Sequence, residues 1–284
     1  MAYACEELEP GRPLATDDIR THYDQLSPLY RAFWGEHIHH GFWRAEESTA
    51  VAQQNLTHEL ARRAGIAGGE RVLDIGCGLG GSSMLLAADY GCTVRGISIS
   101  PNQIRAATKE AGRRRLEDRV TFAVEDANHL NVESESHDIV WTVECSEHLF
   151  DKPRFIAACA RALKPGGRLA ICAWLAGENL DGAQQRIVGE VCRGMLCPSL
   201  GTMNDYVAWM RASGLEISCA DDVTSHVART WKLCHPILNF PLVKTFLAHS
   251  GKRIHEFASS FQSIDNAYAT GAMAYGMIVA VKPS

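Results

Sequence analysis

Positive charge is short in this chain: 28 Lys and Arg stand against 33 Asp and Glu over 284 residues, a formal net charge of −5. No basic field is available to attract a nucleic-acid backbone, so nucleic acid is excluded as an expected partner. The one basic cluster, Arg113-Arg114-Arg115, ends an expected helix and reads as a solvated face. No run of about eighteen apolar residues occurs, and no integral membrane segment is expected. The residues before Thr16 lack the cationic start and apolar stretch of a signal peptide. Internal repeats and low-complexity linkers are missing too, which favours one domain. Ten cysteines are present but no C-x-x-C pair, and Cys92, Cys159, Cys172 and Cys219 sit in apolar segments, as reduced core residues do. A cytosolic location is expected.

What is present is organised around Arg71-Val72-Leu73-Asp74-Ile75-Gly76-Cys77-Gly78-Leu79-Gly80-Gly81. An apolar run between glycine pairs reads as a short buried strand, and Met84 to Ala88 as the helix that follows. Without a Cβ, Gly76, Gly78 and Gly80 let a ligand lie on the main chain, facing the unpaired first amides of the helix. Asp74 stands two residues before the first glycine, where it would repel a pyrophosphate but suit a ligand carrying an ammonium and a sulfonium. The loop therefore argues against a nicotinamide dinucleotide.

Further strands are expected at 92–97, 120–124, 138–143, 168–174, 215–220 and 274–281, making seven with the first. Helices alternate with them at 51–64, 102–115, 152–163, 184–195 and 203–212, with more over 227–270. Ser100 before Pro101 is a helix-start signal, and Lys164-Pro165-Gly166-Gly167 reads as a turn. The alternation specifies an α/β fold: a doubly wound, mostly parallel sheet of seven strands with its ligand outside the carboxyl ends of the strands. Residues 1–16 are expected as a flexible N-terminus, followed by one domain over 17–284. Within it, 17–66 form a helical lid and helix, 67–175 the cofactor-binding core, and 176–284 substrate-side helices, inserted before the last strands, and the final strands. In the lid, Tyr23, Leu26, Tyr30, Phe33 and Trp34 recur at helical spacing, as a stripe that something must cover.

The strand, acid and triple glycine of Val-Leu-Asp-Ile-Gly-Cys-Gly-Leu-Gly resemble the first motif of class I S-adenosylmethionine-dependent methyltransferases. From about Tyr23 onward the chain is similar to the gamma-tocopherol methyltransferase-like group, relatives of sterol and other small-molecule methyltransferases. That narrower resemblance is carried by Trp34-Gly35-Glu36-His37-Ile38-His39-His40-Gly41-Phe42-Trp43, Glu144-Cys145-Ser146-Glu147-His148, Asp151-Lys152-Pro153 and His226-Val227-Ala228-Arg229-Thr230-Trp231. It implies a Rossmann-like methyltransferase fold and S-adenosyl-L-methionine as cofactor, released as S-adenosyl-L-homocysteine. The implied reaction is C-, N- or O-methylation of a small, apolar or aromatic secondary metabolite. Two rivals stand beside it: a cyclase or isomerase that keeps the cofactor, and a non-catalytic small-molecule binding protein. Oligomeric state is left open.

On this reading Asp74, Gly76, Cys77, Gly78 and Gly80 hold the donor's amino acid and ribose, and Tyr23 closes over its carboxylate. The second strand ends in Gly96-Ile97-Ser98-Ile99-Ser100, without the acid that commonly takes the ribose hydroxyls. The resemblance implies Ser98 and Gln103 in its place, with Ser100 beside them and Ile99 on the adenine. Asp126 would accept from the adenine amino group and the Ala127 amide would donate to a ring nitrogen. Glu144, Glu147 and His148 are the catalytic candidates, His148 as a base and the carboxylates to orient it, with Glu144 also lining the donor. Trp34, His39, His40 and Trp231 are the substrate candidates. His39 and His40 are adjacent, which turns their side chains apart, and no matching ligand spacing lies nearby, so no metal is expected.

Overall fold

In the computed structural model, the described residues are 3–4, 7–9, 12–234, 240, 243, 245, 249 and 251–284, with side chains described from Arg12 on except over 28–34. Seven strands form the central sheet: β4 (Arg71–Ile75), β5 (Thr93–Ser98), β6 (Val120–Val124), β7 (His137–Val143), β8 (Leu163–Ala176), β10 (Glu216–Asp222) and β11 (Met273–Val281). Three short strands precede them, β1 (Tyr3–Ala4), β2 (Glu7–Glu9) and β3 (Arg12–Pro13), and β9 (Ser199–Leu200) lies between β8 and β10. The order across the sheet is β10-β11-β8-β7-β4-β5-β6, parallel from β8 to β6, with β11 antiparallel to both of its neighbours. Strand order reverses between β4 and β7, so the carboxyl ends of those two strands open a crevice for a ligand.

The helices are α1 (Thr16–Trp34), α2 (Thr49–Arg63), α3 (Gly81–Tyr90), α4 (Pro101–Arg113), α5 (Lys152–Ala162), α6 (Gly182–Met195), α7 (Met203–Ala212), α8 (Thr224–Val227), α9 (Arg229–Cys234) and, after the gap in description, α10 (Lys252–Thr270). They cover both faces of the sheet. Alternate residues of each strand enter opposite cores: Val72, Trp141 and Cys172 pack with Leu56, Leu60 and Leu86, while Leu73, Val140 and Ile171 pack with Ile156 and Tyr206. Burial on both sides explains the near-continuous apolar strands, each fully covered Leu or Ile contributing roughly 1.5–3 kcal/mol.

Local chemistry sets the element ends. Ser100 accepts from the Gln103 amide at 3.1 Å and Pro101 begins α4; Asp151 caps α5 in the same way. Among the described residues before Thr16, β1 pairs with β9 and β2 with β3. One expectation needs correction. The expected turn at Lys164–Gly167 is absorbed into β8, whose partner in β7 advances only from His137 to Ile139 while β8 runs from Leu163 to Arg168, an irregularity that bulges the extra residues out.

The lid helix α1 is fastened to the core at its middle. Asp24 Oδ1 accepts from Ser100 Oγ at 2.5 Å and from the Asn102 amide at 3.4 Å. Pro28, within α1, has no N–H for the carbonyl four residues back, which belongs to Asp24, and Asn102 Nδ2 donates to that carbonyl at 3.3 Å. Asp24→Ala is expected to remove about 1–2 kcal/mol of docking energy. Hydrogen exchange of the amides of α1 should rise severalfold while protection of β4 and β7 is unchanged, and equal loosening of lid and sheet would contradict the local fastening.

Candidate active site

Two cavities open at the crevice and share a wall formed by Tyr23, Ile38, Glu144 and His148. The first, with about 700 Å³ of empty space, lies against the glycine loop and the ends of β5 and β6. Gly76, Gly78, Ser98, Ile99, Gln103, Asp126 and Ala127 line it, joined by Thr16 and Ile19 of α1 and by Glu125, Asn128 and Cys145. Gly76 has φ +78°, and a Cβ there would lie 2.4 Å from Cys145 Cβ, so only glycine fits between loop and strand end. At Gly78, φ +54°, a Cβ would meet nothing within 4 Å: the backbone faces open space, where a ligand can approach it.

Four expected donor residues stand behind that cavity's wall. Asp74 is buried and accepts from Ser83 Oγ at 2.5 Å, which ties β4 to α3; burial pushes its carboxyl up to about 7. Cys77 is buried with its thiol raised, again by burial, and Gly80 at φ +80° presses on Phe122. Ser100 serves as the cap of α4 and the anchor of Asp24. Within the cavity, Ser98 Oγ donates to Gln103 Oε1 at 2.7 Å, so this pair is preset. Asp126 accepts from the amide and side chain of Asn128 and contacts His129 Nδ1 at 2.9 Å.

The second cavity, about 570 Å³ of empty space, lies under the lid, and His39, His40 and Trp231 line it together with His22, Glu147, Trp174 and Met195. The side chain of Trp34 lies outside the described residues. Glu144, placed just after β7 at φ +51°, is the hub. Its Oε1 accepts from the His40 amide at 2.8 Å, His40 Nδ1 at 2.9 Å and Tyr275 Oη at 2.7 Å; its Oε2 accepts from Trp174 Nε1 at 3.0 Å. Burial works to raise its pKa, but His40 and Tyr275 outweigh it and hold the carboxyl near 2. With every donor committed, Glu144 is a fixed anion and does not serve as a base. His40 is fixed in turn: Trp231 Nε1, which can only donate, points at Nε2 from 2.6 Å, so the ring carries its proton on Nδ1.

His39 Nδ1 donates to the His40 carbonyl at 2.8 Å, and its Nε2 meets His37 Nδ1 at 3.1 Å. Burial lowers the pKa of both rings. Among the described residues no His, Cys, Asp and Glu cluster is arranged to hold a metal. His148 Nδ1 donates to the Leu196 carbonyl at 3.1 Å, which leaves Nε2 as acceptor for Tyr23 Oη at 2.7 Å. Burial lowers this histidine to about 4, so it is neutral at pH 7 with its basic nitrogen turned to the shared wall. Tyr23, expected over the donor's carboxylate, lines both cavities and holds His148. Glu147 has Oε1 on the Trp174 amide at 2.5 Å and is pushed up to about 8 by burial. Tyr268 and Tyr275 were not expected here; they come from α10 and β11, and no local pattern marks them.

The model of a methyltransferase domain matches residues 73–171, from β4 into β8. The chain belongs to the class I S-adenosylmethionine-dependent methyltransferases. It is 32% identical over 286 residues to the chloroplastic tocopherol O-methyltransferase of Arabidopsis thaliana, covering 93% of this chain and 82% of that one. It is 36% identical over 218 residues to the 27-O-demethylrifamycin SV methyltransferase of Amycolatopsis mediterranei, covering 76% of this chain and 79% of that one. The structure superposes on that of the (4+2)-cyclase SpnF with a TM-score of 0.75 at 26% identity, covering 93% and 96% of the two chains. The protein is an enzyme that uses S-adenosylmethionine to methylate small molecules. The first cavity fits that cofactor: a bare backbone at Gly78, the preset Ser98–Gln103 pair, and Asp126 as acceptor.

The buried neutral histidines make stability depend on pH. Their folded pKa values lie below the ordinary 6.5, with His148 and His137 at about 4 and His22 at about 3. The unfolded chain therefore binds more protons between pH 6.5 and 4, and stability present above pH 6.5 is lost as pH falls through 4. Asp74 and Glu147, raised by burial to about 7 and about 8, work in the opposite sense. The five buried histidines lowered by burial must outweigh them for the Tm to fall from pH 7 to pH 5, as thermal melts should show. His148→Asn, whose amide can still donate to Leu196, should flatten that slope; a flat wild-type profile would contradict the neutral state.

Proposed function

We propose that the acceptor is an uncharged, ring-bearing secondary metabolite and that methyl transfer is to one of its hydroxyl oxygens. The observation that carries this is the 2.7 Å contact between Tyr23 Oη and His148 Nε2 on the wall shared by the two cavities. A neutral hydroxyl must lose a proton as its oxygen is alkylated, and this pair offers a place for it. The acceptor's proton passes to Tyr23 Oη while the tyrosine proton passes to His148 Nε2, leaving an imidazolium. Bound S-adenosylmethionine supplies the methyl group on a sulfonium, and the residues here position the acceptor and hold the proton. Trp174 and Trp231, edge to face at 5.8 Å, give the acceptor cavity flat apolar walls.

Two relatives support the reading by name: one methylates a tocopherol oxygen and the other a demethylrifamycin. Residues 17–66 as lid, 67–175 as donor core and 176–284 as acceptor side are part of the same proposal, as are work in the cytosol and the absence of a nucleic-acid partner. No helix among the described residues is long and apolar enough to cross a membrane.

Mass spectrometry of products formed with labelled methyl donor from a panel of phenols, amines, sterols and isoprenoid diphosphates should find label on phenol or alcohol oxygen. Label on carbon or nitrogen alone overturns the proposal, and turnover without S-adenosylhomocysteine would favour cyclisation. Tyr23→Phe and His148→Gln should each lower kcat on the order of 10²-fold while S-adenosylhomocysteine affinity by calorimetry stays within about twofold. Unchanged kcat in both would remove the pair from the reaction.

A further inference from the structure

We infer that Glu147 stands in the acceptor cavity as a neutral carboxylic acid whose unpartnered oxygen donates a hydrogen bond to a carbonyl or ether oxygen of the acceptor, so that the site selects uncharged oxygen-bearing molecules over anions. The inference rests on the acceptor reading above and narrows it. Glu147 is 2% exposed, lines the cavity, and has Oε1 on the Trp174 amide. Its Oε2 is buried and has no hydrogen-bond partner among the described residues. Glu144, three residues earlier on the same cavity wall, has four donors; Glu147 has one.

A second buried anion beside Glu144 would need a cation. No Lys or Arg is among the described residues lining the cavity, and Lys152 on α5 commits its ammonium to the Leu149 carbonyl at 2.8 Å and Ser199 Oγ at 2.9 Å. The charge of Lys152 still reaches Glu147 through space and draws its carboxyl down, but burial is the larger effect and raises it. The other groups facing Glu147 are Tyr206 on α7, Tyr268 on α10, Cys172 on β8 and its neighbour Cys145, none a cation. Burial raises the carboxyl to about 8, and at neutral pH it keeps its proton. An acid in this state has an O–H to give, and a buried donor left unpaired is destabilising. The surroundings are Ile38, Met195, Trp174 and Trp231, so the partner must arrive with the ligand. An anionic acceptor would meet the fixed charge of Glu144 with no Lys or Arg among the described residues lining the cavity.

The test uses the full-length enzyme with S-adenosylhomocysteine bound, so that no turnover is needed and a failure of O-methylation leaves it intact. Glu147→Gln keeps an oxygen for the Trp174 amide and an N–H to donate; Glu147→Met fills the space and donates nothing. The infrared difference spectrum of wild type against E147Q should show the carbonyl stretch of a protonated carboxylic acid at pH 7. Quenching of tryptophan fluorescence should show 6-hydroxy-1-tetralone binding about tenfold tighter than 5,6,7,8-tetrahydro-2-naphthol, which lacks the carbonyl. That advantage should survive in E147Q and vanish in E147M, and the phosphate ester of the naphthol should not bind. A missing acid band, equal or no affinity for the two phenols, or an advantage lost in E147Q would overturn the inference. Should E147M fail to fold, the infrared band and the E147Q arm still decide it.

Discussion

The structure of the site depends on one buried carboxylate, that of Glu144, and on the donors that converge on it. They come from His40 in the segment after the lid helix, Trp174 on β8 and Tyr275 on β11. Hydrogen bonds to an ionised group are about twice as strong as neutral ones, and here they also carry the work of replacing water around a full charge. Taking away any one donor would leave that charge under-solvated, which is why the arrangement holds lid, sheet and late strand in one geometry. Glu144 adopts a left-handed backbone to reach the centre, a local strain that the converging donors over-determine.

Helix α1 joins the two cavities physically. Its Thr16, Ile19 and Tyr23 line the first, Tyr23 also lines the second, and Asp24 fastens the helix to the start of α4.

Much of this was legible in the sequence because its causes are local. Apolar runs bounded by glycine gave the strands, Ser100-Pro101 gave the start of α4, and the Gly76–Gly80 spacing gave the loop that borders the donor cavity. The helix expected at 203–212 has those bounds in the structure. Partner choice is what no local pattern shows. Asp74 accepts from Ser83 across β4 and α3. The hydroxyl of Tyr23 meets His148, 125 residues on. Tyr275 and Tyr268 reach Glu144 and His40 across 131 and 228 residues, through a strand order that no short pattern encodes.

Leu196 closes α6 in the left-handed conformation, φ +57°, a place where glycine is the usual choice. Its carbonyl accepts a hydrogen bond from Nδ1–H of His148. The handedness of a single helix end thus decides which of two chemically similar nitrogens is basic, and hence which way a proton can travel through the site. A change at the last turn of α6, whose Met195 also lines the second cavity, would therefore alter the tautomer of His148 without touching its ring.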